Sequence, residues 1–194
     1  AGSAIARSNP LKTGVQATKL AIAAFLIPYV FWYVLIVISL LYFLLYDVES
    51  FKSLQTFIII TQVAAMAMYI FFPTRQDLRP LVFPRDNFLT QCVALLYSVD
   101  TNTGVCPSLH VAYSLGIASV WLKDRTVPKP YRLPWKGFVV VAVILICLST
   151  MFIKQHSAVD FFAALPVCLM AEIIVYGKYW RSRLKGARSA KDGT

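Results

Sequence analysis

Charged side chains are scarce in this chain, at 14% of its 194 residues, and acids are the scarcer sign, with nine Asp and Glu against 19 Lys and Arg. Soluble domains carry about 25% charged residues. Glycine, at eight residues, is too rare for collagen-like repeats. Histidine is rarer still, with two in the whole chain. The four cysteines (Cys92, Cys106, Cys147 and Cys168) form no C-x-x-C pair, and no His stands at zinc-ligand spacing from them. That spacing argues against a structural metal site. No internal repeat is visible, which weakens an inverted-repeat transporter reading.

Apolar residues, by contrast, make up 58% of the chain, and the mean hydropathy is +0.65. Disorder is excluded, because disordered segments are poor in such residues. A soluble fold is excluded because a domain of this size could not bury that much apolar surface. The chain reads as an integral membrane protein, all-α, a polytopic transmembrane bundle of five to six helices. A helix needs roughly 20 apolar residues to cross a bilayer. Candidate spans are 21–46, which Pro28 could divide, then 53–72, 109–122, 137–153 and 161–179. The span 109–122 is short by itself. Residues 87–97 read as a short amphipathic helix and 100–104 as a turn. Three regions follow: a polar N-terminal segment at 1–19 without a signal-peptide layout, a transmembrane domain at 20–180, and a basic cytoplasmic tail at 181–194.

The net charge of +10 would point to nucleic acid in a soluble protein. Here the basic residues gather between and after the apolar runs, with no basic groove interleaved by aromatics. They read as topology signals and anionic-lipid contacts, and no nucleic-acid partner is expected. Aromatic residues such as Phe31, Trp32, Tyr33 and Tyr42 read as packing surface and interfacial belts. Cys92 and Cys106 would share one membrane face, where a disulfide is open to them, whereas Cys147 and Cys168 read as packing residues.

Three polar segments fall at the same membrane face: 72–80, 106–111 and 154–160. Both histidines lie in them. On a continuous helix His156 and Asp160 would share a face, so the carboxylate could fix the imidazole tautomer and leave the other nitrogen nucleophilic. His110 follows Ser108, a natural N-cap, and a helix start suits an anion such as phosphate. Arg75 and Arg79 supply forked donors that match phosphate oxygens. This is the make-up of a phosphoryl-transfer site. Asp77, Asp86 and Asp100 would be the candidates for a divalent metal, but they are scattered among arginines.

These residues resemble the type-2 phosphatidic acid phosphatase superfamily of membrane lipid phosphatases and phosphotransferases. Its signature runs Lys-x6-Arg-Pro, then Pro-Ser-x-His, then Ser-Arg-x5-His-x3-Asp. Arg79-Pro80 matches the end of the first block, Pro107-Ser108-Leu109-His110 the second, and Ser149, His156 and Asp160 the third. The first-block Lys falls at Phe72 and the third-block Arg at Thr150, and Arg75 and Lys154 are the nearest substitutes. This looser pattern is closest to the branch of inositol-phosphorylceramide-synthase-like proteins and their bacterial relatives. The resemblance implies a metal-independent lipid phosphatase with no cofactor, acting on a phospholipid or polyprenyl phosphate. His156, oriented by Asp160, would be the nucleophile and His110 the acid and base. Arg79, Arg75, Lys154 and the amides around Ser108 and Leu109 would hold the phosphate. It further implies residence in a bacterial inner or plasma membrane and six spans, so that an N-terminal helix is either missing or formed separately by 17–26. A phosphotransferase and a non-catalytic lipid-binding or transport protein are the alternatives.

The spans divide the basic residues unequally. Seven fall with the three polar segments and twelve on the opposite side, which makes the opposite side cytoplasmic and the site extracytoplasmic. A single cysteine introduced at Asn102 in a cysteine-free background is therefore expected to react with an impermeant maleimide on intact cells. One introduced at Lys129 should react only after permeabilisation, and the reverse pattern would put the site in the cytoplasm.

Overall fold

The structure is a computed structural model that describes the backbone of residues 10–79 and 88–192 and the side chains of 24–79, 88 and 90–182. Pro80, Arg85 and Asp86 fall outside the described residues. Six helices make up this part of the chain: α1 (Pro10–Tyr46), α2 (Val48–Phe71), α3 (Phe88–Val99), α4 (Leu109–Lys123), α5 (Lys129–Phe152) and α6 (Ala158–Asp192). The all-α reading of five to six helices holds, and so does the short helix expected near 87–97. Pro28 does not divide the first helix, which runs through it. Neighbouring turns and packed helices can absorb one lost main-chain bond.

Four helical stretches are long and apolar enough to cross a bilayer: Ala24–Tyr46, Val48–Phe71, Lys129–Phe152 and Ala158–Ser182. The protein is thus an integral membrane protein. Their outer faces carry apolar side chains such as Val37, Leu41, Val63, Ile70, Ile144 and Ile173, all more than 40% exposed and suited only to lipid. The fifth span expected from sequence, 109–122, is α4, and it differs from the other four. With 15 residues it is about 22 Å long, short of a hydrocarbon core of about 30 Å. Its role is central packing. It touches α1, α2, α5 and α6, and it buries His110, Val111, Ala112, Ser114, Gly116, Ile117, Val120 and Trp121.

α5 starts at Lys129, before the expected span at 137, and Arg132 and Lys136 interrupt its apolar pattern in between. Both donate backwards to main-chain carbonyls, Arg132 to Val127 and Arg125 and Lys136 to Leu122, so their charges are spent closing the α4–α5 link. Pro130 sits in the first turn, where amides have no intrahelical acceptor. At the other turn on this end, Asp47 alone joins α1 to α2. Its carboxylate accepts from Ser50 N at 3.2 Å and Ser50 Oγ at 2.7 Å, capping α2.

Contacts along α4 fix the relative directions. His110 meets Tyr29 of α1, and Trp121 Nε1 donates to Ser39 further along α1 at 2.9 Å, so α1 and α4 run parallel. Against α2 the order reverses, with Gly116 at Phe57 and Pro107 at Tyr69. The consequence is that the start of α4, the end of α2, the end of α5 and the start of α6 all meet at one end of the bundle.

Gly116 sets the approach of α2 to α4: a Cβ there would lie 2.6 Å from Phe57 Cδ1, a side chain only 2% exposed. Gly116→Ala is expected to destabilise the purified protein by about 1–3 kcal/mol through overpacking. Adding Phe57→Leu should return part of that loss. Thermal unfolding in detergent checks it, and an unchanged midpoint for Gly116→Ala would mean that the helices part without cost.

Candidate active site

The corner between α5 and α6 begins with a helix end that turns inward. Lys154 N–H donates to Met151 O at 3.0 Å and Gln155 N–H to Thr150 O at 3.0 Å, a Schellman arrangement that needs its middle residue in the left-handed region. Lys154 fills that position with φ 60, where glycine is the usual occupant. His156 N–H also reaches Thr150 O, at 3.1 Å. Chain direction reverses within three residues, and Gln155 and His156 end 2% and 8% exposed.

α6 then starts with a reciprocal cap. Ser157 N–H donates to Asp160 Oδ2 at 2.7 Å, and Asp160 N–H donates to Ser157 Oγ at 3.3 Å. The continuous helix that would have carried both His156 and Asp160 is therefore absent, because α6 begins at Ala158, two residues after the histidine. The two side chains still meet, with His156 Nδ1 3.7 Å from Asp160 Oδ2. A shorter contact fixes the imidazole: Nδ1 lies 3.0 Å from the carbonyl of Val105. A carbonyl only accepts, so the ring proton sits on Nδ1 and Nε2 keeps a free lone pair.

Val105 is held by a second layer of bonds. Thr74 Oγ1 accepts from the amides of Val105 and Cys106, each at 3.2 Å, while Gly104 N–H donates to Thr74 O at 2.8 Å. Gly104 has φ +66 and packs under the Tyr69 ring, where a Cβ would come within 3.3 Å. Tyr69 donates its hydroxyl proton to Pro107 O at 2.7 Å. Burial, and next to it the Asp160 carboxylate, push the Cys106 thiol above its ordinary range, so this cysteine is a neutral neighbour. All four cysteines are free thiols.

Ser108 is fully buried and caps α4, its Oγ accepting from Val111 N at 3.4 Å. Its own amide donates to Asp160 O at 3.1 Å, which ties the start of α4 to the start of α6. Leu109 and His110 occupy the first two helical positions, where amides point out of the helix end. The His110 ring stands 5.5 Å from the His156 ring at 62°, and it is 8% exposed. Trp32 and Tyr29 of α1 lie 4.1 Å and 4.8 Å from it. His110 Nε2 has no hydrogen-bond partner among the described residues.

The structure thus brings His110, His156, Asp160, Ser108 and Leu109 together, while the cations divide. Arg79 donates through Nη1 to Tyr97 O and Asp100 O, and through Nη2 to Thr101 O and Gln155 Oε1. It also lies over the Tyr97 ring, so only Nε lacks a partner among the described residues. Arg75 is exposed, pairs with Asp77 at 2.8 Å, and lines an open groove of about 340 Å³ with Tyr69, Thr74 and Thr103. The Lys154 side chain is half-buried at the corner. The two departures from the family pattern lie apart: Phe72 is 64% exposed, and Thr150 is fully buried with its hydroxyl donating to Cys147 O at 2.8 Å. Asp77 and Asp100 are committed to Arg75 and Tyr29. Sequence reasoning missed Gln155, Val105, Tyr29 and Trp32. The last two are one helical turn apart, which was a usable signal, whereas Val105 acts only through its main chain.

No family model matches the chain, and no solved structure matches it. An 80-residue stretch is 36% identical to a PA-phosphatase related-family protein of Dictyostelium discoideum, and it covers 40% of this chain. The matched stretch spans only 12% of that protein's length. The likeness supports kinship with the phosphatidic acid phosphatase superfamily and a phosphatase-type function, and it does not single out the inositol-phosphorylceramide-synthase-like branch.

The reciprocal cap at α6 gives Asp160 a structural share that can be separated from its charge. Asp160→Asn retains an oxygen that accepts from Ser157 N–H, so its unfolding midpoint should stay near wild type. Asp160→Ala loses the cap and is expected to cost about 1 kcal/mol. Thermal unfolding of both purified variants checks this, and equal losses would show that the charge carries the stabilisation.

Proposed function

We propose that this protein is a membrane phosphatase that removes a phosphomonoester or diphosphate headgroup from a lipid through a phosphohistidine. The observation that carries the reading is the pair of buried histidines 5.5 Å apart, one of them held by a main-chain carbonyl with its second nitrogen free. In this reading His156 Nε2 attacks phosphorus, forming the N–P bond as the P–O bond to the lipid breaks. His110 delivers a proton to the departing lipid oxygen, then takes one from the incoming water that cleaves the N–P bond. Asp160, 3.7 Å from Nδ1, offsets the positive charge that the ring gains. The outward amides of Leu109 and His110 and the ammonium of Lys154 would hold charge building on the phosphoryl oxygens. Arg75, in the neighbouring groove, would meet the part of the headgroup remote from the bond being broken. No step requires a metal or cofactor, and the site would face the extracytoplasmic side of its membrane.

A second reading, transfer of the headgroup to a lipid alcohol instead of water, rests on the same two histidines. It shares the first half of the reaction, and the acceptor alone differs.

Purified protein quenched during turnover of a radiolabelled lipid phosphate, with EDTA present, should carry acid-labile, base-stable label. His156→Ala should carry none and show no turnover, while its unfolding midpoint stays close to wild type. Wild-type turnover in His156→Ala would overturn the mechanism. Label released to an added lipid alcohol in preference to water would favour the transferase.

A further inference from the structure

We propose that Gln155 is a phosphoryl-oxygen donor of this site and that Arg79 is the residue that positions it, an inference that rests on the phosphoryl-transfer reading above. One side-chain bond joins the two residues. A guanidinium can only donate, so the Gln155 atom that meets Arg79 Nη2 is the amide oxygen. The amide nitrogen is thereby fixed as the free end. It is a donor with two hydrogens, it belongs to a side chain 2% exposed, and it has no partner among the described residues. Proteins seldom bury such a group without something to receive it.

Its surroundings indicate what that something is. Gln155 and His156 both donate their amides to Thr150 O, so one turn carries both residues. Four buried nitrogens of these residues and their neighbours lack partners among the described residues: Arg79 Nε, Gln155 Nε2, Trp32 Nε1 and His110 Nε2. Three of the four can only donate. A donor-rich set of this kind fits a group with several acceptor oxygens and repels a metal cation. Thr150 adds the complement: it stands where the family pattern has a cation, and its hydroxyl is spent inside α5. The neutral amide of Gln155, on the turn that Thr150 closes, takes over that donor role. Arg79 acts through it, since both of its terminal nitrogens are committed to carbonyl groups.

The test uses the full chain in detergent, with short-chain phosphatidic acid and a short-chain diphosphate lipid as substrates and orthovanadate as the transition-state mimic. Wild type, His156→Ala, Gln155→Met and Gln155→Glu are compared for kcat, KM, vanadate inhibition and unfolding midpoint. Met keeps the volume without the donor, and kcat should fall about a hundredfold with KM within about threefold, since the donor acts mainly on the transition state. Vanadate inhibition should weaken in parallel. Glu keeps the acceptor for Arg79 and turns the free end into an anion, so it should fold at least as well as wild type and lose more activity than Met. A purely structural Gln155 predicts the opposite order. Glu with kcat within about threefold of wild type, beside an inactive His156→Ala, would overturn this proposal and leave the phosphohistidine reading standing. A wild type that neither turns over the lipids nor responds to vanadate would overturn both. Should Met fail to fold, the Glu variant decides the question.

Discussion

The carbonyl of Thr150 is the acceptor on which the site depends. In a bundle surrounded by lipid, a helix cannot leave its last carbonyls unpaired, so α5 must close them within the chain. It does so by folding Gln155 and His156 back onto Thr150, with Lys154 held in the left-handed region. That reversal carries the next two side chains into the interior and delivers the chain to the start of α6. The Asp160 carboxylate then caps α6, and its main-chain carbonyl binds Ser108 at the head of α4. One satisfied helix end thus sets the level at which both histidines, the carboxylate and the α4 N-terminus coincide.

The same end of the bundle is stiffened by bonds that cross between segments distant in sequence. Tyr29 donates to Asp100 at 2.6 Å, Tyr97 to Ile153 O at 2.7 Å, and Tyr69 to Pro107 O at 2.7 Å. Each tyrosine combines an apolar body with one polar tip, which suits a helix end where lipid gives way to polar main chain. The opposite end uses a different device. Lys123 of α4 pairs with Glu172 of α6 at 2.6 Å beneath the rings of Tyr176 and Trp180, and Ser119 and Trp180 satisfy the remaining carboxylate positions. A charge pair at this depth is costly unless fully bonded, and here it is. The short central helix is thereby anchored at both ends, by Ser108 to α6 at one and by Lys123 to α6 at the other.

Charge is deployed differently from the family pattern. Arg79 is present at its expected place, yet its fork grips protein carbonyls and Gln155. Thr150 and Phe72 stand where the pattern that this chain resembles has two cations, one buried inside α5 and one facing outward. Fewer fixed cations reach the histidines than the motifs alone imply, and neutral donors, the helix-start amides and Gln155 Nε2, carry correspondingly more of the phosphate contact in the proposed reaction. Lys154, at the corner itself, is the cation nearest in sequence to His156.

Hydropathy alone decided the membrane class and four of the helices, because spans of apolar residues have no other stable setting. The meeting of His110 and His156 was legible as well: helix ends alternate sides, so motif order implied one face. Three things were decided only by tertiary structure. Whether His156 and Asp160 shared a helix depended on where α5 ended, and a buried Schellman turn without glycine leaves little trace in sequence. The partner of His156 Nδ1 is a main-chain carbonyl, and main-chain groups are identical at every residue. The role of Arg79 turned on which acceptors the fold placed around it, since a guanidinium binds carbonyls and phosphates by the same geometry. Sequence determines which groups can donate and accept, and only packing determines which of them meet.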